Sequence, residues 1–378
     1  MQDPQSYFQK HSLFMCDGLY LSQHAEHNGV RVITSERFPD LIMLHYREDC
    51  VFDNTWPTFA KMCRGLIVDM KNQDVVAWPL EKFFNLDQQP ETSYEILKYR
   101  KDFEISEKLD GSMLISFINP ADGQLYLTTK GSFEAEHSKV GTELARNHPY
   151  FHRIFEYAES GTLMFELIDS RFRIVIDYKK KGYELGLYLI GYRTREGRLC
   201  TYSEVHELAK ELGVGCPNTY QFDSLDVLLA KTKDLPLTEE GFVIRYSDGL
   251  LVKVKGAAYL RAHRFISHLS DKNILLAVSE GVEDPFIEIC PDEFRDEVSE
   301  KIAYFKHRKL DLLNQCYKYF AEAPKENGRK IFALWVNANV KSSLRGCMFQ
   351  LMDCKPLKDK DLYDIISKTE KPSVETRI

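Results

Sequence analysis

No stretch of this 378-residue chain is apolar for the roughly 18–20 residues that a membrane-crossing helix needs. A basic excess is also missing. The net charge is −7, which argues against indiscriminate attraction to nucleic acid and leaves room only for a local basic groove. The nine cysteines are odd in number and contain no CxxC pair. That pattern speaks against a disulfide framework or a zinc site, and for reduced thiols in a cytoplasm. The opening "MQDPQSYFQKHSLFMCDG" has no basic segment leading into an apolar core, so no secretory signal is expected there. Internal repeats and low-complexity linkers are lacking too. What remains is ordinary: 44% hydrophobic and 28% charged residues, enough for a proper core in one large domain or two of usual size.

Two regimes follow one another, and they predict an α+β chain. Residues 1–256 read as an antiparallel-β domain and residues 257–378 as an all-α domain. In the first, "RGLIVDM" with "KNQDVVAWPL", and "SMLISFI" with "QLYLTTK" across "NPADG", read as hairpins. "TLMFELI", "FRIVIDY" and "LYLIGYRT" read as further strands, and "GFVIRY" and "LLVKVK" flank an "SDG" turn. Two short helices interrupt, one of them "SEVHELAKELG", opened by a serine cap and closed by glycine. After Gly256 apolar residues recur at three- and four-residue intervals, most clearly in "DEFRDEVSEKIAYFKHRKLDLLNQCYKYFAEA".

The chemistry centres on "EKLDGSM". A lysine attacks only when neutral, and its ordinary pKa is near 10.4. Burial, cations or a metal lower it, whereas Glu107 and Asp110 beside Lys108 act the other way. A nucleophilic Lys108 therefore calls for cations from elsewhere, and Arg64, Lys82, Lys130, Lys253 and Lys255 are available. Lys253 and Lys255 share one strand face. They either flank an anion such as a polyphosphate or solvate an exposed edge strand. Glu166 sits inside an apolar strand, in phase with Met164 and Ile168, so its carboxylate faces a site or a buried partner. Asp110, Glu166 and Glu240 could together hold a hydrated Mg²⁺, or be unrelated acids. The basic runs "KHRK" and "GRK" either track RNA phosphate or line an exposed helix face.

Lys-x-Asp-Gly at 108–111, a strand glutamate at 166, an aliphatic strand ending in Arg193, Glu-Gly at 240–241 and Lys-x-Lys at 253–255 resemble, in that order, the motifs of the covalent nucleotidyltransferase superfamily. "CRGLIVDM", "PLEKFFNLDQQP", "KLDGSM", "TKGS", "EGFVIR" and "KVK" resemble more closely the RNA ligase 1 type of T-even phages, over roughly residues 30 to 256. The resemblance implies an antiparallel nucleotidyltransferase domain and an ATP-dependent RNA ligase, with Mg²⁺ or Mn²⁺. Its substrates would be RNA 3′-OH and 5′-phosphate ends, with broken tRNA as the family's example. By the same resemblance Lys108 would carry AMP, with Asp110 and Gly111 completing its loop. Tyr46, Arg64, Lys82, Lys130, Lys253 and Lys255 would contact nucleotide, triphosphate or RNA. Glu166, Glu240 and Gly241 would contact the nucleotide, the two acids also serving the metal's water shell, and Asp284 would match a second metal position. A capping enzyme or DNA ligase of the same superfamily would carry a β-barrel domain after Lys255, which the helical pattern disfavours. A non-catalytic RNA-binding module would leave Lys108 and the ordered acids without a purpose.

Overall fold

The computed structural model describes residues 3–268, 271–288, 290 and 292–369. The chain forms two compact units, Met1–Leu260 and Arg261–Ile378. No helix among the described residues is long and apolar enough to cross a membrane.

The described residues of the first unit form thirteen strands. They are β1 (Val30–Thr34), β2 (Leu41–Tyr46), β3 (Arg64–Asp69), β4 (Asp74–Ala77), β5 (Phe84–Asn85), β6 (Phe103–Glu107) and β7 (Ser112–Asn119). Then follow β8 (Gln124–Thr129), β9 (Gly161–Ile168), β10 (Gly186–Thr194), β11 (Thr219–Tyr220), β12 (Gly241–Tyr246) and β13 (Leu251–Lys255). They make three sheets, ordered β1-β2-β3-β4, β10-β9-β7-β8 and β11-β6-β12-β13-β5. The named strands pair antiparallel except β5, which lies parallel to β13 through Val252–Phe84 and Lys253–Asn85. The expected all-antiparallel domain is corrected at this pair. β5 does not reach β13 by a hairpin, and its parallel approach sets Phe83 beside Lys253, whose Nζ stands 4.7 Å from the ring centre.

Strand alternation builds the cores. Along β2, Ile42 and Leu44 face a cluster with Tyr7, Phe8, Leu21 and Phe59 from the N-terminal helices. Leu41 and Met43 face the opposite way, onto Ile115, Phe117 and Phe133 of the second sheet's side. Period-two alternation with both faces apolar marks a strand buried on two sides. The second sheet is covered by the helices Glu136–Arg146, Phe151–Glu159 and Tyr202–Leu212. The last of these is capped by Thr201, which forms a capping box with Glu204, rather than by the serine expected from sequence. The third sheet packs Ile105, Phe242, Ile244 and Val252 against Leu225 and Leu228.

"FRIVIDY" is not a strand. After a short 3₁₀ turn at Ser170–Phe172 the segment is irregular. Its Val175 and Ile176 amides both donate to the Asp110 carboxylate at 2.9 Å. A carboxylate thus takes amides that a neighbouring strand would otherwise have bonded.

The second unit is helical in its described residues. The long helix Asp292–Glu322 is followed by Arg329–Asn339, Arg345–Met352 and Asp359–Thr369. In "KHRK", Lys306 pairs with Glu283 at 2.7 Å and Lys309 with Asp359 at 2.7 Å. Arg329 of "GRK" pairs with Asp353. These cations are engaged by acids of neighbouring helices.

Candidate active site

Strand register gathers the acids and lysines that are distant in sequence. Phe242 on β12 pairs with Glu107 on β6, and Gly241 pairs with Lys255 on β13. Lys108, one residue past β6, donates its amide to the Gly241 carbonyl at 2.9 Å. Glu240, Lys108 and Lys255 are therefore brought together at one end of the third sheet. Lys108 Nζ lies 2.8 Å from both Glu240 carboxylate oxygens. Lys255 Nζ lies 2.9 Å from the same group. The Glu240 side chain is 2% exposed and that of Lys108 22%, so only the lysine is open to a ligand.

Gly241 has a φ of +143°, and a Cβ there would run into the Val254 carbonyl oxygen and the Lys255 backbone. Only glycine lets β12 start this close to β13. At Gly111 the constraint is approach rather than φ. A Cβ would lie 2.5 Å from the Leu167 carbonyl and 2.9 Å from Glu166 Cγ. The Gly111 amide donates instead to Glu166 Oε1 at 3.0 Å, with Glu166 held on β9 opposite Met113.

Charges neighbouring in sequence separate in space. Glu107 faces away from Lys108 and accepts from Lys181, Tyr183 and Asn218. Asp110 is likewise fully used. Besides the two backbone amides, its other oxygen accepts from the Tyr259 hydroxyl at 2.7 Å, and its own amide donates to the Tyr178 hydroxyl at 2.6 Å. Of the three acids that could share a hydrated Mg²⁺, Asp110 thus already has both oxygens accepting hydrogen bonds. Among the described residues no three His, Cys, Asp or Glu side chains are arranged to hold an ion. Glu166 and Glu240 still offer hard oxygen donors beside Lys108, and a hydrated divalent cation takes only one or two carboxylates with substrate phosphates.

Five more cations surround Lys108. Burial and then the charges of Arg64, Lys82, Lys108 and Lys255 push Lys253 well below the ordinary lysine range. Burial, Arg64 and Lys255 lower Lys82 to about 8. Its ammonium stands 4.5 Å from the Trp56 ring centre, 5.2 Å from Tyr46 and 5.4 Å from Phe84, so aromatic faces partly replace lost water. Lys130 is lowered to about 8 by burial, Arg64 and Lys82, although over a third of its surface meets solvent, where screening moderates the effect. Arg64 is lowered by burial, with Tyr46 and Glu166 opposing. Lys108 differs. Burial would lower it, but Glu240, Glu166 and Asp110 outweigh burial and hold it above the ordinary value. Burial raises Glu166 to about 7 against the pull of Lys108. Burial would raise Glu240 as well, but Lys108 and Lys255 keep it low.

Arg64, Lys82, Lys130, Glu166, Glu240, Lys253 and Lys255 thus gather round Lys108, whereas Glu107 faces away and Arg193 pairs with Glu81. Asp284 lies in the second unit on the helix Glu283–Glu288. Lys306 there is raised by its hydrogen bond to Glu283 and also feels Asp284. Sequence reasoning missed Tyr178 and Tyr259. Tyr259 is four residues past Lys255 in "KVKGAAYL", on the far side of the boundary drawn at Gly256, whereas the first compact unit runs to Leu260.

A family model for RNA ligase matches residues 62–266, over half of the chain. An inferred RNA ligase of Thermovibrio ammonificans is 30% identical over 296 residues, covering 74% of this chain and 71% of that protein. An inferred bifunctional polynucleotide kinase/RNA ligase of Autographa californica nuclear polyhedrosis virus is 27% identical over 273 residues, covering 67% of this chain and 38% of that one. Among solved structures, an archaeal ATP-dependent RNA ligase matches 80% of this chain and 79% of its own, at 14% identity and a TM-score of 0.46. On the family match and the Thermovibrio relative, the chain belongs to the ATP-dependent RNA ligases of the T4 RNA ligase 1 type.

Proposed function

We propose that this ligase joins an RNA 3′-OH to an RNA 5′-phosphate through a Lys108–AMP intermediate, in a nucleotidyltransferase domain spanning the first unit. Lys108 Nζ attacks the α-phosphorus of ATP. A P–N bond forms, the bond to the β-phosphate oxygen breaks, and pyrophosphate leaves. The RNA 5′-phosphate then displaces Lys108, and the 3′-OH finally displaces AMP.

The observation that carries this reading is the crowd of cations round Lys108, a reachable lysine held by a buried carboxylate. Beyond burial, Arg64 depresses the charge of Lys82, Lys130 and Lys253, and Lys82 that of Lys130 and Lys253. Such an arrangement costs the empty protein stability and suits a polyanion. Arg64, Lys82 and Lys253 bind the leaving phosphates, and Lys255 stays near the α-phosphate with Glu240. Tyr46, beside Lys82 and Arg64, helps to fix them. Glu240 holds the Lys108 amine in place until the nucleotide's own charge competes for Lys255. Asp110 acts by shaping the loop: with both oxygens and its amide bonded, it fixes the backbone that aims Lys108 and Gly111. A bound divalent cation, Mg²⁺ or Mn²⁺, beside Glu166 and Glu240 would neutralise phosphoryl charge. Asp284 is proposed as a second metal ligand.

The helical unit is proposed to choose the RNA, with broken tRNA as the natural substrate. Cys16, Cys50, Cys63, Cys200, Cys216, Cys316, Cys347 and Cys354 carry free thiols, which suits a cytoplasm. Incubation with labelled ATP and a divalent metal tests the core of the proposal. Wild type should acquire one AMP that Lys108→Ala does not. Lys108→Ala should still seal RNA already carrying a 5′-adenylate. An adduct of normal yield on the mutant would remove Lys108 from its role.

A further inference from the structure

Beyond Arg64 the cation cluster continues along a row of strand partners. Arg31 on β1 pairs with His45 on β2, and His45 pairs with Arg64 on β3. Arg31 and His45 are directly opposed and share a sheet face; Arg64 follows across the register shift between Leu44 and His45, with its charge reaching the imidazole, so the three run from an exposed edge strand to the site. His45 is 6% exposed, and its Nδ1 has no hydrogen-bond partner; neither does Arg64 Nη1. Arg31 Nη2 lies 3.3 Å from where a Gly131 Cβ would be, against the turn that follows Lys130. His45 ends the β2 face that carries Leu41 and Met43 into the core. A residue with only a packing role there would be apolar, because a buried unpartnered nitrogen costs about 1–3 kcal/mol. Burial first, then Lys130, Arg31, Arg64 and Lys82, keep the imidazole neutral. A neutral donor among cations can bind an anion without adding to their repulsion.

In-line displacement at phosphorus puts the entering and leaving groups on opposite sides. In the first step Lys108 enters and pyrophosphate leaves. In the second, Lys108 leaves and takes up one proton, so the RNA 5′-phosphate oxygen must enter from the side pyrophosphate vacated. On the assignment proposed above Arg64 holds the leaving phosphates and so marks that side, and the row leads outward from it. We propose that Arg31, His45 and Arg64 form the subsite for the 5′-terminal phosphate of the RNA strand, with His45 Nδ1–H donating to a phosphate oxygen. The inference rests on the ligase reading above.

The test compares the binding of one oligoribonucleotide in its 5′-phosphate and 5′-hydroxyl forms. It uses the full chain, stripped of AMP by pyrophosphate and without ATP. Wild type should prefer the phosphorylated strand by about ten-fold, the scale of a hydrogen bond to a charged group. Arg31→Ala and His45→Leu should each cut that preference at least about three-fold while leaving affinity for the hydroxyl strand in place. Arg31→Ala, at an exposed edge, decides the matter if His45→Leu does not fold. The subsite is overturned if wild type shows no preference, or if both variants keep it. It is also overturned if the variants instead raise the ATP concentration for half-maximal Lys108 adenylylation, which would assign the row to the γ-phosphate of ATP. Failure of the ligase reading would look different, since the wild type would then form no Lys108–AMP adduct at all.

Discussion

Lys108 is held as an ammonium by Glu240, and this sets a pH dependence. Burial alone would favour the neutral amine, but Glu240 and Glu166 reverse it. Single-turnover adenylylation should therefore climb with pH through the alkaline range as the amine loses its proton. Glu240→Gln removes the largest charge favouring the ammonium, so the limb should move to lower pH even where the maximal rate falls. An unmoved limb would show that some other group titrates. Glu166 makes the opposite kind of statement about stability. Its folded pKa of about 7 lies above the ordinary carboxylate value, so the folded protein binds more protons between those limits. Stability from this group is present below the unfolded value and is lost as pH rises through about 7. Glu166→Gln should accordingly melt higher than wild type at pH 8, with a smaller gain or none at pH 4.5, read by thermal unfolding. Tyr259 donates its hydroxyl to the Asp110 carboxylate. Tyr259→Phe should slow adenylylation by about ten-fold, the worth of a hydrogen bond to a charged group, with little change in ATP half-saturation.

At the scale of elements, the β12–β13 hairpin depends on Gly241. An alanine there has to adopt a φ of +143° and meet the Val254 carbonyl. Gly241→Ala should cost about 2 kcal/mol or more and should displace the carbonyl that receives the Lys108 amide. Both a lower melting temperature and loss of the AMP adduct are expected; normal adduct formation would show that the hairpin can shift without moving Lys108. The hairpin itself was legible, because "GFVIRY" and "LLVKVK" alternate about a turn. So was Glu166, a single acid in an apolar strand. "FRIVIDY" was not. Its β-branched residues have strand propensity, but its amides belong to Asp110, 65 positions earlier, and no local period encodes so distant a partner. The Arg31–His45–Arg64 row was hidden for a similar reason. Each member is unremarkable on its own strand, and only register lines them up.

For the molecule as a whole, the cation cluster makes stability and ligand inseparable. Lys82, with a folded pKa of about 8, binds fewer protons than its unfolded form between there and about 10.5. The empty protein should gain stability as pH rises across that window. Below it, inorganic tripolyphosphate should raise the melting temperature. A ligand at a hundred times its Kd adds about 2.7 kcal/mol, and Lys82→Ala should lose most of the upward shift. The same concentration of chloride salt should not reproduce it.

Tyr259 also bears on how such a chain could exchange its tail. Sheet three ends at Lys255, and a graft made just beyond the last strand would look harmless. It would delete the hydroxyl that satisfies Asp110 and leave a buried carboxylate oxygen bare. Inheritance of a new helical unit therefore has to carry its crossover past Tyr259, inside the helix Ala257–His268. The point at which a graft leaves Asp110 satisfied and the visible edge of the β-domain differ, and the few residues between them belong to the nucleophile.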